Sequence, residues 1–170
     1  QITNIGFDRT SLSSGELLKV SFTVKNTGST TLQGQAPRVD LTAGGGLGSV
    51  ENGYVYDQDE CFAGTGDGSY PSFPKEDDRF RVALGWSGWD DRPGNSCAGP
   101  TSGYPWRWGL NADLAPGQQQ TIVGYVRFRT PGSYTLQGAV VQEYVQYYQQ
   151  GVQPTGISVA SSARPPKWSA

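Results

Sequence analysis

Apolar and polar residues alternate from Glu16 to Lys25. Leu18, Val20, Phe22 and Val24 fall on one face, Lys19, Ser21, Thr23 and Lys25 on the other. That is the period of a β-strand with one buried and one wet side. The pattern returns between Gln120 and Thr130, where Ile122, Val126 and Phe128 share a face with Gly124. Each strand is entered through a turn ending in glycine and a polar residue, Gly15-Glu16 and Gly117-Gln118. Each is left through a glycine turn, Asn26-Thr27-Gly28 and Pro131-Gly132. Further strands are predicted at Ile2–Phe7, Val39–Thr42, Val50–Tyr56, Arg79–Trp86 and Ile157–Ala160. One long strand is expected over Ser133–Tyr148, bulged near Gly138. No capped stretch carries apolar residues at helical spacing, so no helix is expected.

Between these strands the pattern fades. Ala43-Gly44-Gly45-Gly46 is a flexible break, and from Asp57 to Asn111 Gly, Pro, Asp and Trp dominate. The pattern predicts an all-β, immunoglobulin-like antiparallel β-sandwich. It forms a single domain over residues 1–162, with a long aromatic insertion at about 44–111. Residues 163–170 form a tail that is no strand interior, because Pro165-Pro166 removes two donors.

The chain has 170 residues, enough for one domain with a real core. Gly 24 and Pro 11 fit a turn-rich fold, and 5 Trp, 9 Tyr and 6 Phe supply buriable area. A net charge of −2 lacks the basic footprint of a nucleic-acid binder. No run approaches the roughly 18 apolar residues of a membrane span, so no membrane insertion is expected. The chain contains no Met, so Gln1 is not a translation start. Secretion after signal-peptide cleavage is the expectation the composition favours. Cys61 and Cys97, 36 positions apart, read as one disulfide pinning the insertion, or else as two buried thiols. Closing that loop is worth about 4 kcal/mol in the chain-entropy model.

Three segments carry a family resemblance: SGELLKVSFTVKNTGSTTL (Ser14–Leu32), LAPGQQQTIVGYVRF (Leu114–Phe128) and TPGSYTL (Thr130–Leu136). They resemble bacterial extracellular Ig-like modules of the CARDB and NEW3 kind. The resemblance implies a non-catalytic module serving adhesion, spacing or display at the cell surface. Gly44 to Asn111 departs from that pattern by its length, so features specific to this chain are expected there.

The candidate chemistry is narrow. The absence of histidine removes the Ser-His-Asp triad, the HExxH zinc site and the commonest general base. A glycosidase-type carboxylate pair could come from Glu51, Asp57, Glu60, Asp90, Asp91 or Glu143, but nothing fixes two of them at a working separation. A protein without catalysis is expected. Trp86, Trp89, Tyr104, Trp106 and Trp108 either fill a satellite core beneath a glycine-rich loop or form a platform for sugar rings, with Trp89 in the most open setting. Asp57, Asp59 and Glu60 are weak candidates for Ca²⁺, the alternative being solvated turn carboxylates. No other cofactor is expected.

QEYVQYYQQ, from Gln142 to Gln150, is β-prone and nearly uncharged. Tyr144, Tyr147 and Tyr148 in it could pair with another chain, or the segment is an ordinary strand with one aromatic face buried. Ile2, Ile5 and Phe7 could form a strand donated to a neighbouring copy, a contact that propagates as a filament. The expected partners are therefore further copies, other cell-surface proteins or a polysaccharide.

Overall fold

The computed structural model describes residues 1–34, 55–60, 78–87 and 103–162. The expectations at Val39–Thr42, Ala43–Gly46, Cys61, Cys97, Trp89 and the tail fall outside these residues.

Among the described residues nine strands form two sheets: β1 (Ile2–Phe7), β2 (Ser11–Ser13), β3 (Leu17–Lys25), β4 (Val55–Asp57), β5 (Phe80–Trp86), β6 (Trp106–Gly109), β7 (Gln119–Arg127), β8 (Gly132–Gln142) and β9 (Gln146–Ala160). One sheet has the order β1-β3-β7-β4, the other β2-β9-β8-β5-β6. Their inner faces share one core, to which β3 gives Leu18, Val20, Phe22 and Val24, and β5 gives Phe80, Val82, Leu84 and Trp86. The chain is thus an all-β sandwich. It is not wholly antiparallel as expected, because β2 runs parallel to β9 and β4 parallel to β7.

The alternating segments pair with each other. β3 lies antiparallel to β7, with Val20 opposite Gly124. The echoing turns are one device used twice. Gly15 and Gly117 take φ of 95° and 79°, which glycine adopts without strain. Glu16 N donates to Ser13 O (3.1 Å) while its Oε2 accepts from Ser13 N (2.8 Å). Gln118 repeats this on Ala115, with N to O at 3.0 Å and Oε1 accepting from N at 3.1 Å. Each turn also grips the partner strand's far end: Gly15 N donates to Phe128 O (2.7 Å), Gly117 N to Asn26 O (2.8 Å). Asn26 is buried, and its Nδ2 donates to Thr30 O and Leu114 O, each at 2.8 Å. Tyr134 closes the Pro-Gly turn by donating its hydroxyl to Thr130 O (2.8 Å), in the manner of a tyrosine corner.

Two expectations are corrected. The single strand over Ser133–Tyr148 is two, β8 and the start of β9, joined by a turn in which Val145 N donates to Gln142 O (3.0 Å). No Gly, Asn or Pro marks this turn; Tyr144 itself takes the left-handed conformation, φ 62°. The register between β8 and β9 shifts on both sides of Gly138, as the expected bulge there implies. Second, Trp106–Gly109 is a core strand. The described residues between about 44 and 111 supply β4 and β5, where strands were expected at Val50–Tyr56 and Arg79–Trp86, and β6 besides.

Candidate functional site

The described tryptophans pack inward. Trp106 and Trp108 alternate with Arg107 on β6 and are fully buried, as is nearly all of Trp86. Trp86 meets Trp106 edge-on at 5.0 Å and Tyr134 at 5.2 Å. Trp108 lies between Phe22 (5.9 Å) and Tyr56 (5.5 Å). Tyr104 is buried on the opposite face of its sheet, beside Ala83 and Ala139, with Tyr147 at 5.5 Å. Its hydroxyl accepts from Gly151 N at 2.8 Å. Of the two readings of these aromatics, packing holds for Trp86, Tyr104, Trp106 and Trp108, none of which presents a face to solvent as a sugar platform would, while Trp89 lies outside the described residues. The indoles bring area to the core, and their spacing is that of strand residues facing inward.

Charge is buried on the outer face of the same sheet. Arg81 on β5 and Arg107 on β6 both face Glu143, just past β8. Arg107 Nη1 donates to Glu143 Oε2 at 2.8 Å, and Arg81 Nε lies 3.5 Å from Oε1. Arg107 Nη2 donates to the Tyr147 hydroxyl at 2.6 Å. Burial pulls the Arg81 guanidinium below its ordinary pKa and pushes the Tyr147 phenol above its own. One carboxylate held by two guanidiniums is an anchor for the β8–β9 hairpin rather than an acid/base pair. Alternation along RFRVALGW and WRWG was the signal that places both arginines on one face; the sequence reading left them unassigned.

Asp57, Asp59 and Glu60 lie at the end of β4. Arg129 grips Asp57 with two bonds, Nε to Oδ1 at 3.0 Å and Nη2 to Oδ2 at 3.1 Å. Glu60 Oε2 accepts from Asp57 N at 2.8 Å. Burial, followed by the charges of Asp57 and Asp59, raises the Glu60 carboxyl above its usual pKa. Among the described residues no group of three or more acidic or cysteine side chains could hold a metal ion. Glu60 thus closes the turn after β4 from within, while Asp57 is held by Arg129.

The donated-strand expectation meets a different arrangement. β1 is paired antiparallel with β3 of its own chain, and Ile2 and Ile5 are buried in its own core with Phe7 packed against them. Three of its backbone groups are engaged from β9 as well. Gln149 Oε1 accepts from Ile2 N (2.6 Å), and Gln153 bonds Ile5 twice, accepting from N at 3.0 Å and donating to O at 2.6 Å. Two glutamines of β9 thus stand where a neighbouring strand's backbone would. An exposed edge invites pairing with another chain, and covering it prevents that. Gln149→Ala with Gln153→Ala should cost about 1–3 kcal/mol, the range for three hydrogen bonds partly replaced by water. The variant should also dimerise at concentrations where the parent is monomeric. Light scattering after size exclusion reads the mass, and an unchanged mass would refute the edge-guard role.

Among the described residues, large apolar side chains reach solvent at the end of the β8–β9 hairpin. Tyr144 is 77% exposed, Val145 51% and Tyr148 53%. Tyr148 is nevertheless held in place. Its ring leans on Phe80 at 5.5 Å, and its hydroxyl donates to Gln142 Oε1 at 3.1 Å. Of the three tyrosines noted in the sequence, Tyr144 and Tyr148 are thus at the surface, while Tyr147 turns toward Arg107.

No family model matches the chain. No curated protein matches it either. In structure the chain is similar to a CARDB domain. That CARDB domain comes from Pyrococcus furiosus and was solved in complex with di-metal ions. Identity is 12% and the TM-score 0.45, with 93% of this chain and 90% of the CARDB chain covered. Two larger proteins are also similar over part of their length. A Pseudomonas fluorescens alkylpurine DNA glycosylase has 11% identity and a TM-score of 0.43, and the chain covers 30% of it. A β-glucosidase from Erythrobacter marinus has 14% identity and a TM-score of 0.44, with 15% covered. In these two comparisons, as with the CARDB domain, more than nine-tenths of this chain takes part.

Proposed function

We propose that this chain is a non-catalytic extracellular adhesion module whose contact surface is the end of the β8–β9 hairpin. The observation that carries the reading is the exposure of Tyr144, Val145 and Tyr148 together, on a protein whose other described aromatics are largely packed away. Exposed apolar clusters on soluble proteins mark places of contact. Tyr144 also holds a left-handed backbone, which is uncommon away from glycine and gathers at functional positions. The hairpin is anchored from behind by Glu143 and two arginines, so a load on its tip passes into the sheet. The acids at hand are already engaged, Glu143 by arginines and Asp57 by Arg129, which supports a role without catalysis.

Beads carrying the protein should adhere under flow to a panel of intact bacterial surfaces. The variant Tyr144→Ser, Val145→Ser, Tyr148→Ser should lose most of that adhesion while melting within a few degrees of the parent. Equal adhesion by the triple variant would overturn the reading.

A further inference from the structure

We infer that the hairpin end binds a neutral polysaccharide, with one sugar ring stacked on Tyr148. This names the partner class for the contact surface proposed above and rests on that proposal.

Three observations converge on it. The first is a ring held ready. Phe80 supports Tyr148 from one side, and the bond from its hydroxyl to Gln142 Oε1 fixes the ring's rotation. About half of the side chain remains open to solvent. A fixed aromatic face meets the apolar C–H face of a pyranose with little ordering cost, because few rotamers remain to be frozen. The second is the kind of polar group nearby. Gln146 and Gln150, both exposed, flank Tyr148 along β9. A primary amide offers two donors and an acceptor, the complement of neighbouring sugar hydroxyls.

The third is charge. From Gln142 to Thr155 the only ionisable side chain besides tyrosine is Glu143, and it is buried against Arg107. Gln142 Nε2 donates to the backbone carbonyl of Asp78, which brings an exposed acidic residue to the rim. Arg79 stands beside it, its carbonyl accepting from Glu143 N at 3.0 Å. A surface with amides and a ring, and with one acid and one base side by side at its margin, carries no net charge to draw a polyanion or an acidic lipid. Protein partners are served less well. A stable protein interface buries about 800 Å² on each side, more than three exposed apolar residues supply.

The test is affinity electrophoresis of the intact protein in native gels containing, one at a time, laminarin, hydroxyethylcellulose, galactomannan or the anionic polymer alginate. Retardation by at least one neutral polymer and none by alginate is expected. Tyr148→Ala should weaken the retardation at least tenfold. Tyr148→Phe, which keeps the ring and loses only its hydroxyl bond, should keep most of it and guards against a folding artefact. Gln146→Ala should weaken it severalfold. No retardation by any neutral polymer, or equal retardation of Tyr148→Ala, overturns the inference. Bead adhesion that depends on the hairpin with no retardation in any gel would leave the adhesion module standing with a protein partner. Adhesion untouched by the triple variant would remove both.

Discussion

Gly124→Ala is expected to destabilise the protein by about 3 kcal/mol, at the upper end of the range for overpacked cores. A Cβ at Gly124 would sit within 2.6 Å of three indole atoms of Trp108, namely Cε2, Cζ2 and Cδ2. The indole has nowhere to retreat. It is fully buried, with Phe22 and Tyr56 against it. The opposite change, Trp108→Ala, should cost about 3–5 kcal/mol through lost burial and the cavity left behind. The two sites are coupled, so Gly124→Ala with Trp108→Phe should be more stable than the sum of the single changes. Urea unfolding followed by circular dichroism reads the parent, Gly124→Ala, Trp108→Phe, Trp108→Ala and the double variant. An unchanged midpoint for Gly124→Ala would show that β6 does not pack on β7 as described.

Glu143→Ala should cost about 3–5 kcal/mol, the range for removing one member of a buried ion pair. The loss arises less from the missing attraction than from two guanidiniums that no longer face a carboxylate. Glu143→Gln keeps an acceptor for Arg107 and should cost less. Hydrogen exchange in Glu143→Ala should rise first at Tyr144–Tyr147, because the hairpin loses its anchor before the sandwich opens. Exchange that rises evenly across both sheets would contradict an anchoring role. The anchor also links the structural part of the molecule to its proposed contact surface, so this variant should lose adhesion even where it remains folded.

How much of this was legible in the sequence depended on whether a signal was local. The alternation in β3 and β7 was, because one face of each strand is wet and the period of two survives. β5 kept its alternation only in residue type, since Arg81 and Ala83 are as buried as Val82 and Leu84. The resemblance of the turns to extracellular Ig-like modules named the frame, and the repeated Glu16 and Gln118 back-bonds give that resemblance a physical cause. The β8–β9 turn was hidden because it uses Tyr144 where glycine or asparagine is usual. The tryptophans were ambiguous for a different reason. A Trp beside Gly and Pro looks the same in sequence whether it lines a core or a surface, and only β6 pairing with β5 turns Trp106 and Trp108 inward. The edge guard was illegible altogether. Gln149 and Gln153 act on a strand almost the whole chain away, and nothing in a run of glutamines says which backbone they will reach.

The two glycine turns that grip opposite ends of the β3–β7 ladder have a consequence for how this fold can vary. A slip of β3 along β7 by one residue would break the bond from Gly15 to Phe128 and that from Gly117 to Asn26 together. Alignment of the central pair is therefore fixed at both ends by residues adjoining the two strands. Loop entropy grows only with the logarithm of length, about 0.6 kcal/mol for each doubling. Connections between the strands inside that span can therefore change length while the central pair stays in step.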